Sequence, residues 1–274
     1  MSLLPADAVS STPAATHAAP WLVAAAGAAV GLLGGLVGLG GAEFRLPLLL
    51  MFGLAVLPAV IVNKTISLVV VGAALLFRSA TVSPLDVVVQ WPAIVNLLAG
   101  SIAGAWLAAG WATRWQNRTL QQVIALLLLV IAAMLLWHPA SGASAPALGG
   151  LALRLAGALA GFGIGIVSAL LGVAGGELLI PVLVLLFGHD IKLAGSVSLA
   201  ISVPTMLAGF ARYSRDRSFA VLRTHRRFVW AMAAGSVLGA ALGGLLLGAV
   251  PAAVLLPALA LILVVSALKM WPHR

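Results

Sequence analysis

Two glutamates interrupt apolar runs of this chain at matching places. Glu43 lies in GLVGLGGAEFRLPLLL, residues 35–50, and Glu177 lies in ALLGVAGGELLIPVLV, residues 169–184. Each follows a glycine cluster, Gly40 and Gly41 in the first and Gly175 and Gly176 in the second. Each precedes a proline, Pro47 or Pro181. Adjacent glycines just before a proline are helix-breaking. A half-helix that starts after such a break directs its backbone N–H groups and its positive dipole end at an anion. The carboxylates admit three readings. They tie the broken elements together, Glu43 with Arg45 or Lys64 and Glu177 with Lys192, or they carry a proton past the break, or they sit at a membrane surface.

The residues after each break add hydrogen-bonding capacity. Asn63, Lys64, Thr65 and Ser67 follow the first, and Lys192, Ser196, Ser198 and Ser202 follow the second. Hydroxyls, an amide and ammonium groups suit an oxyanion. The same residues also suit helix–helix hydrogen bonds, worth about 0.6–2 kcal/mol each, and a lysine near a helix end can snorkel to the interface. Arg45 has no counterpart, because Leu179 occupies its position. The expected binding set is Gly40, Gly41, Glu43, Asn63, Lys64, Thr65, Ser67, Gly175, Gly176, Glu177, Lys192, Ser196 and Ser198, with Glu43 and Glu177 as proton carriers.

Only a particular setting keeps such residues together. The chain of 274 residues is 63% hydrophobic and 8% charged, against about 25% charged in soluble domains. It reads as an all-α polytopic membrane protein. The net charge is +9, but the basic residues collect at segment ends as topology signals do, which argues against nucleic acid. There is no cysteine, and the five histidines have no metal-ligand spacing. Neither a cofactor nor a metal is expected. An enzyme would need a nucleophile–base pair or a metal cluster, and none is visible. The glycines fail as a nucleotide loop, since no strand pattern or GK[ST] accompanies them.

Eight apolar segments are legible, at about 21–42, 46–77, 86–110, 119–137, 148–173, 177–210, 226–249 and 252–271. Segments 46–77 and 177–210 are too long for one straight span. Each carries a polar interruption, PAVIVNKT at 58–65 and GHDIKLAGS at 188–196, so each reads as a broken helix. Such backbone at membrane depth lines a cavity or is buried in protein. Residues 1–20 read as a disordered tail. Arg212, Arg215, Arg217, Arg223, Arg226 and Arg227 mark residues 211–228 as a cytoplasmic loop in contact with anionic lipid. With eight spans both termini, Arg78, Arg154, Lys269 and Arg274 share that side, and Arg114 and Arg118 fall outside against the rule. Tryptophans at segment ends form an aromatic belt.

The chain also repeats itself. Gly31, Gly38, Gly41, Glu43 and Pro47 superpose on Gly165, Gly172, Gly175, Glu177 and Pro181. TISL at 65–68 matches SVSL at 196–199, and GSIAGA at 100–105 matches GSVLGA at 235–240. The organisation is therefore a first membrane repeat at 21–137, a connection and next helix start at 138–154, a second repeat at 155–271 and a tail at 272–274. An even number of crossings per repeat makes the halves parallel, and an odd number makes them inverted. Glycines spaced by four suit close helix packing, and their faces would allow a homodimer.

The paired elements GLVGLGGAEFRLPLLL and GVAGGELLIPVLVLLFGHDIKLAGSVSLAISVPTMLAGFARY resemble the signature of the TauE/SafE family of sulfite exporters and sulfonate permeases. The first copy departs from it at Ala42, where a third glycine is usual, and in Arg45. The resemblance implies a multi-pass permease of the cell membrane, inner or plasma, for small sulfur-containing anions such as sulfite or organosulfonates, with the Gly-Glu-Pro elements along the pathway. The alternatives are transport of another small ion and an accessory role in assembly without transport.

Overall fold

A computed structural model describes residues 19–37, 41–78, 84–136, 149–189 and 191–246, with parts of 260–268. The N-terminal tail and most of the last apolar segment lie outside these residues. Among the described residues every regular element is helical. The helices are α1 (Pro20–Val37), α2 (Ala42–Met51), α3 (Val56–Arg78), α4 (Pro84–Val89), α5 (Trp91–Ala112), α6 (Asn117–Leu136), α7 (Gly150–Leu171), α8 (Gly176–Leu185), α9 (Ile191–Tyr213), α10 (Val221–Thr224) and α11 (Arg226–Leu245). Among the described residues four stretches are long and apolar enough to cross a membrane, at Val56–Ala74, Trp91–Ala112, Gly150–Leu171 and Leu193–Tyr213.

Both glycine motifs make the expected break. Gly41 (φ 71°) and Gly175 (φ 79°) are left-handed and stand immediately before the short helices α2 and α8. Pro47 and Pro181 do not break these helices. Each lies inside its helix, where it withholds the N–H that the carbonyl four residues back, Glu43 or Glu177, would accept. The second break in each long segment also differs from expectation. The first falls at Phe52–Ala55, with Gly53 left-handed, and PAVIVNKT is helical within α3. Pro58 sits in the first turn of α3, where a missing N–H costs no hydrogen bond. The second falls between Leu185 and Ile191 at left-handed Gly188, so Lys192 to Ser196 belong to α9.

Close approaches fix the helix directions. A Cβ on Gly31 would strike the Ser236 carbonyl, one on Gly235 that of Ala24 and one on Gly239 that of Ala28, so α1 and α11 run parallel. Leu97 lies against Gly161 and Ser101 against Gly165, so α5 and α7 are parallel too. Ser101 meets Thr205, and Gly110 meets Arg212, which aligns α9 with α5. Helix α3 runs the other way. Lys64 packs on Gly209, while Leu68 and Val71 pack with Met206, Val203 and Leu199. The glycines at these crossings are used within the chain.

Helices α1, α3 and α11 begin at one face. There Phe52 packs edge-on against Phe228 at 5.4 Å, and Pro20 and Arg226 line one groove. Helices α5 and α9 end at that face. Arg114 and Arg118 therefore lie with Arg212–Arg227, not on the opposite side as expected. The physical reason is that α2 returns toward the face where α1 began. The α1–α2 hairpin adds no net crossing, and the next two helices, α3 and α5, bring the chain back to the same face. The arginines of these loops then share one face. By the same topology Arg78, which ends α3, and Arg154, near the start of α7, fall at the opposite face and not on this one as expected.

Candidate functional site

The tip of α7 is where the site assembles. The last carbonyls of a helix have no partner within it, and this end is buried. Three side chains supply donors. Lys64 Nζ donates to the Ser168 carbonyl at 2.9 Å, Tyr213 donates to Ala169 at 3.0 Å, and Asn63 Nδ2 donates to Leu171 at 2.8 Å. Ser168 itself donates to the Val173 carbonyl at 2.7 Å. A buried cation at the negative end of a helix dipole is favourably placed. Lys64 is wholly buried and does not snorkel. Gly209 makes room for it, since a Cβ there would stand 2.8 Å from Lys64 Cε.

Asn63 joins the two broken ends. Its amide nitrogen also donates to the Ala42 carbonyl at the start of α2, at 2.9 Å, and its oxygen accepts from Arg45 Nη1 at 3.3 Å. Arg45 Nη1 reaches Ser67 Oγ at 3.1 Å as well. Arg45 thus fastens α2 to α3, and Asn63 ties both to α7. Glu43 is 1% exposed, and among the described residues neither carboxylate oxygen accepts a hydrogen bond. The salt bridge expected from Glu43 to Arg45 or Lys64 is not among the hydrogen bonds that these two cations make to Asn63, Ser67 and Ser168.

The start of α8 gathers a second set of small and hydroxyl residues. Gly175 faces Ile164 and Ser168 of α7, and Gly176 faces α9, with Ser198 Oγ 3.9 Å from where a Cβ on Gly176 would stand. Ser198 donates to Gly195 and Thr65 to Ile61, both within their own helices. Ser196 and Ser202 are buried on α9, and Ser202 Oγ has no partner among the described residues. Gly40 and the side chains of Glu177 and Lys192 lie outside the described residues. No group of metal-ligating side chains occurs among the described residues.

Sequence reasoning weighed Arg45 but gave it no place in the binding set, and missed Ser168, Gly209 and Tyr213 altogether. Tyr213 is the chain's single tyrosine and ends a glycine-rich apolar run. Its partner lies on another helix, so spacing alone could not expose its role.

The sequence model of the family described as Sulfite exporter TauE/SafE matches residues 22–270, nearly the whole chain. This chain belongs to the TauE/SafE family. No curated protein and no solved structure matches it. TauE/SafE membership together with the apolar helices makes it a multi-pass membrane protein of a transporter and exporter family. The glycine-capped breaks and the buried charges at the α7 tip are features of this TauE/SafE chain's own residues.

Proposed function

We propose that this protein is a secondary transporter of small sulfur-containing anions, such as sulfite or organosulfonates, in the cell membrane, and that it couples anion to proton. The carrying observation is the charge gathered where the two broken ends meet. Arg45, Lys64 and Glu43 are all buried there. Buried charge is costly within a bilayer and tends to mark an ion pathway. The Arg45 and Lys64 cations offer an anion its countercharge. A proton on Glu43 removes the charge that opposes the anion, so proton and anion bind best together. By linkage this predicts movement of both in the same direction.

The architecture we propose is eight segments in two inverted repeats, 21–137 and 155–271. Corresponding helices α3 and α9 run in opposite directions, and the hairpins α1–α2 and α7–α8 come from opposite faces. Inverted repeats with discontinuous helices carry their sites at the repeat interface. The arginine-rich face is read as cytoplasmic and in contact with anionic lipid.

Flux into proteoliposomes tests this reading. Sulfite and a small organosulfonate should enter saturably and compete with each other, while a small alkali cation should not enter. Uptake of the cation alone would replace the anion reading.

A further inference from the structure

The α7 tip receives donors from Asn63 and Lys64 of the first half and from Tyr213 of α9. By the match of TISL to SVSL, the positions equivalent to Asn63 and Lys64 are Ala194 and Gly195. Neither has a side-chain donor, so the second half cannot reciprocate toward α1 with these groups.

The layer also has a side. Asn63 and Lys64 lie eight or nine residues into α3, about 10–12 Å from its start at the arginine-rich face by the helical rise. Tyr213 ends α9 at that face, next to Arg212 and Arg215. The contacts therefore close the interior from the arginine-rich side. We infer that Asn63, Lys64 and Tyr213 are positioning residues of a gate on that side. The gate opens by releasing the α7 tip from α3 and α9. This rests on the transport reading, because a gate needs a pathway.

The mechanism is an exchange of partners. Each closing bond ends on a backbone carbonyl, an acceptor that an anion's oxygens can replace. An anion at Asn63 and Lys64 would take the donors that now hold Ser168 and Leu171. The α7 tip would then be released as substrate binds. A fully satisfied amide and a buried ammonium also resist opening when no anion is present, because a bare donor in the interior is costly.

The chain contains no cysteine, so a single introduced thiol reports without background. Leu171→Cys places a thiol at the α7 tip, and Leu151→Cys places a reference thiol at the exposed start of α7. Both would be labelled with an impermeant maleimide applied to the arginine-rich side and, separately, to the other side. In the background of Tyr213→Phe, which removes one hydroxyl, labelling of the tip thiol from the arginine-rich side should rise about tenfold, the size of one lost buried hydrogen bond. Asn63→Ala should raise it further, and the reference thiol should keep its rate. A saturating small organosulfonate, which unlike sulfite does not add to a maleimide, should likewise accelerate labelling of the tip thiol without either change. If the tip thiol reacts no faster in either variant, and the variants melt as the parent does, the gate is overturned. Labelling needs no transport. Faster labelling together with absent flux of every anion would support the gate and remove the transport reading.

Discussion

Arg45 carries the clearest prediction among single residues. It binds both Asn63 and Ser67 while Leu179 stands in its place in the other half. Charge-assisted hydrogen bonds are worth about 1.5–3 kcal/mol, so Arg45→Leu should raise the anion KM roughly ten- to hundredfold. Arg45→Lys, which keeps the charge, should recover part of the loss, and initial-rate uptake would measure both. Equal KM values in the parent and Arg45→Leu would take Arg45 out of the site. At this scale, legibility followed how local the chemistry is. Gly41, Glu43 and Lys64 stand out because a helix break or a charge in an apolar run is costly wherever it folds. Tyr213 and Ser168 do not, because a hydroxyl in a helix is cheap until a distant carbonyl needs it.

At the scale of elements, small residues set the distances between helices. A Cβ on Gly165 would collide with the Ser101 carbonyl, whereas Gly163, on the same helix, has nothing within 4 Å. Gly165→Val should therefore lower stability by about 1–3 kcal/mol through overpacking, and Gly163→Ala should be neutral or mildly stabilising. Thermal melts in detergent would separate the two. A Gly165→Val variant as stable as Gly163→Ala would mean that α5 and α7 do not touch as described. The elements themselves were readable from apolar length and glycine position. Their inner boundaries were not. The interruption was expected at PAVIVNKT, but Pro58 stands in the first turn of α3, where a proline breaks nothing, and the turn fell on Gly53 instead. Pro47 and Pro181 were likewise absorbed within short helices whose starts the left-handed glycines had already fixed.

For the whole molecule, topology is the feature that counting spans missed. Each short helix returns toward the face where its hairpin began, and this moves Arg114 and Arg118 to the side of Arg226 and Arg227. Cysteines replacing Arg118 and Arg226 should react with an impermeant thiol reagent from the same side of the membrane, and one replacing Arg154 should react from the other. Reaction of positions 118 and 226 from opposite sides would refute the hairpins. The proposed duplication rests on matched residues alone. Its proposed handedness rests on the contacts of α3 with α9, because one sequence pattern serves parallel and inverted halves equally well.

The most direct measurement concerns coupling. Proteoliposomes in weak buffer would be given an organosulfonate, which stays a monoanion throughout, so that any proton signal belongs to the protein. Its uptake should alkalinise the outer medium in step with the anion taken up. In Glu43→Gln, uptake should persist while the alkalinisation falls away. External acidification, or alkalinisation undiminished in Glu43→Gln, would contradict a proton carried with the anion at Glu43.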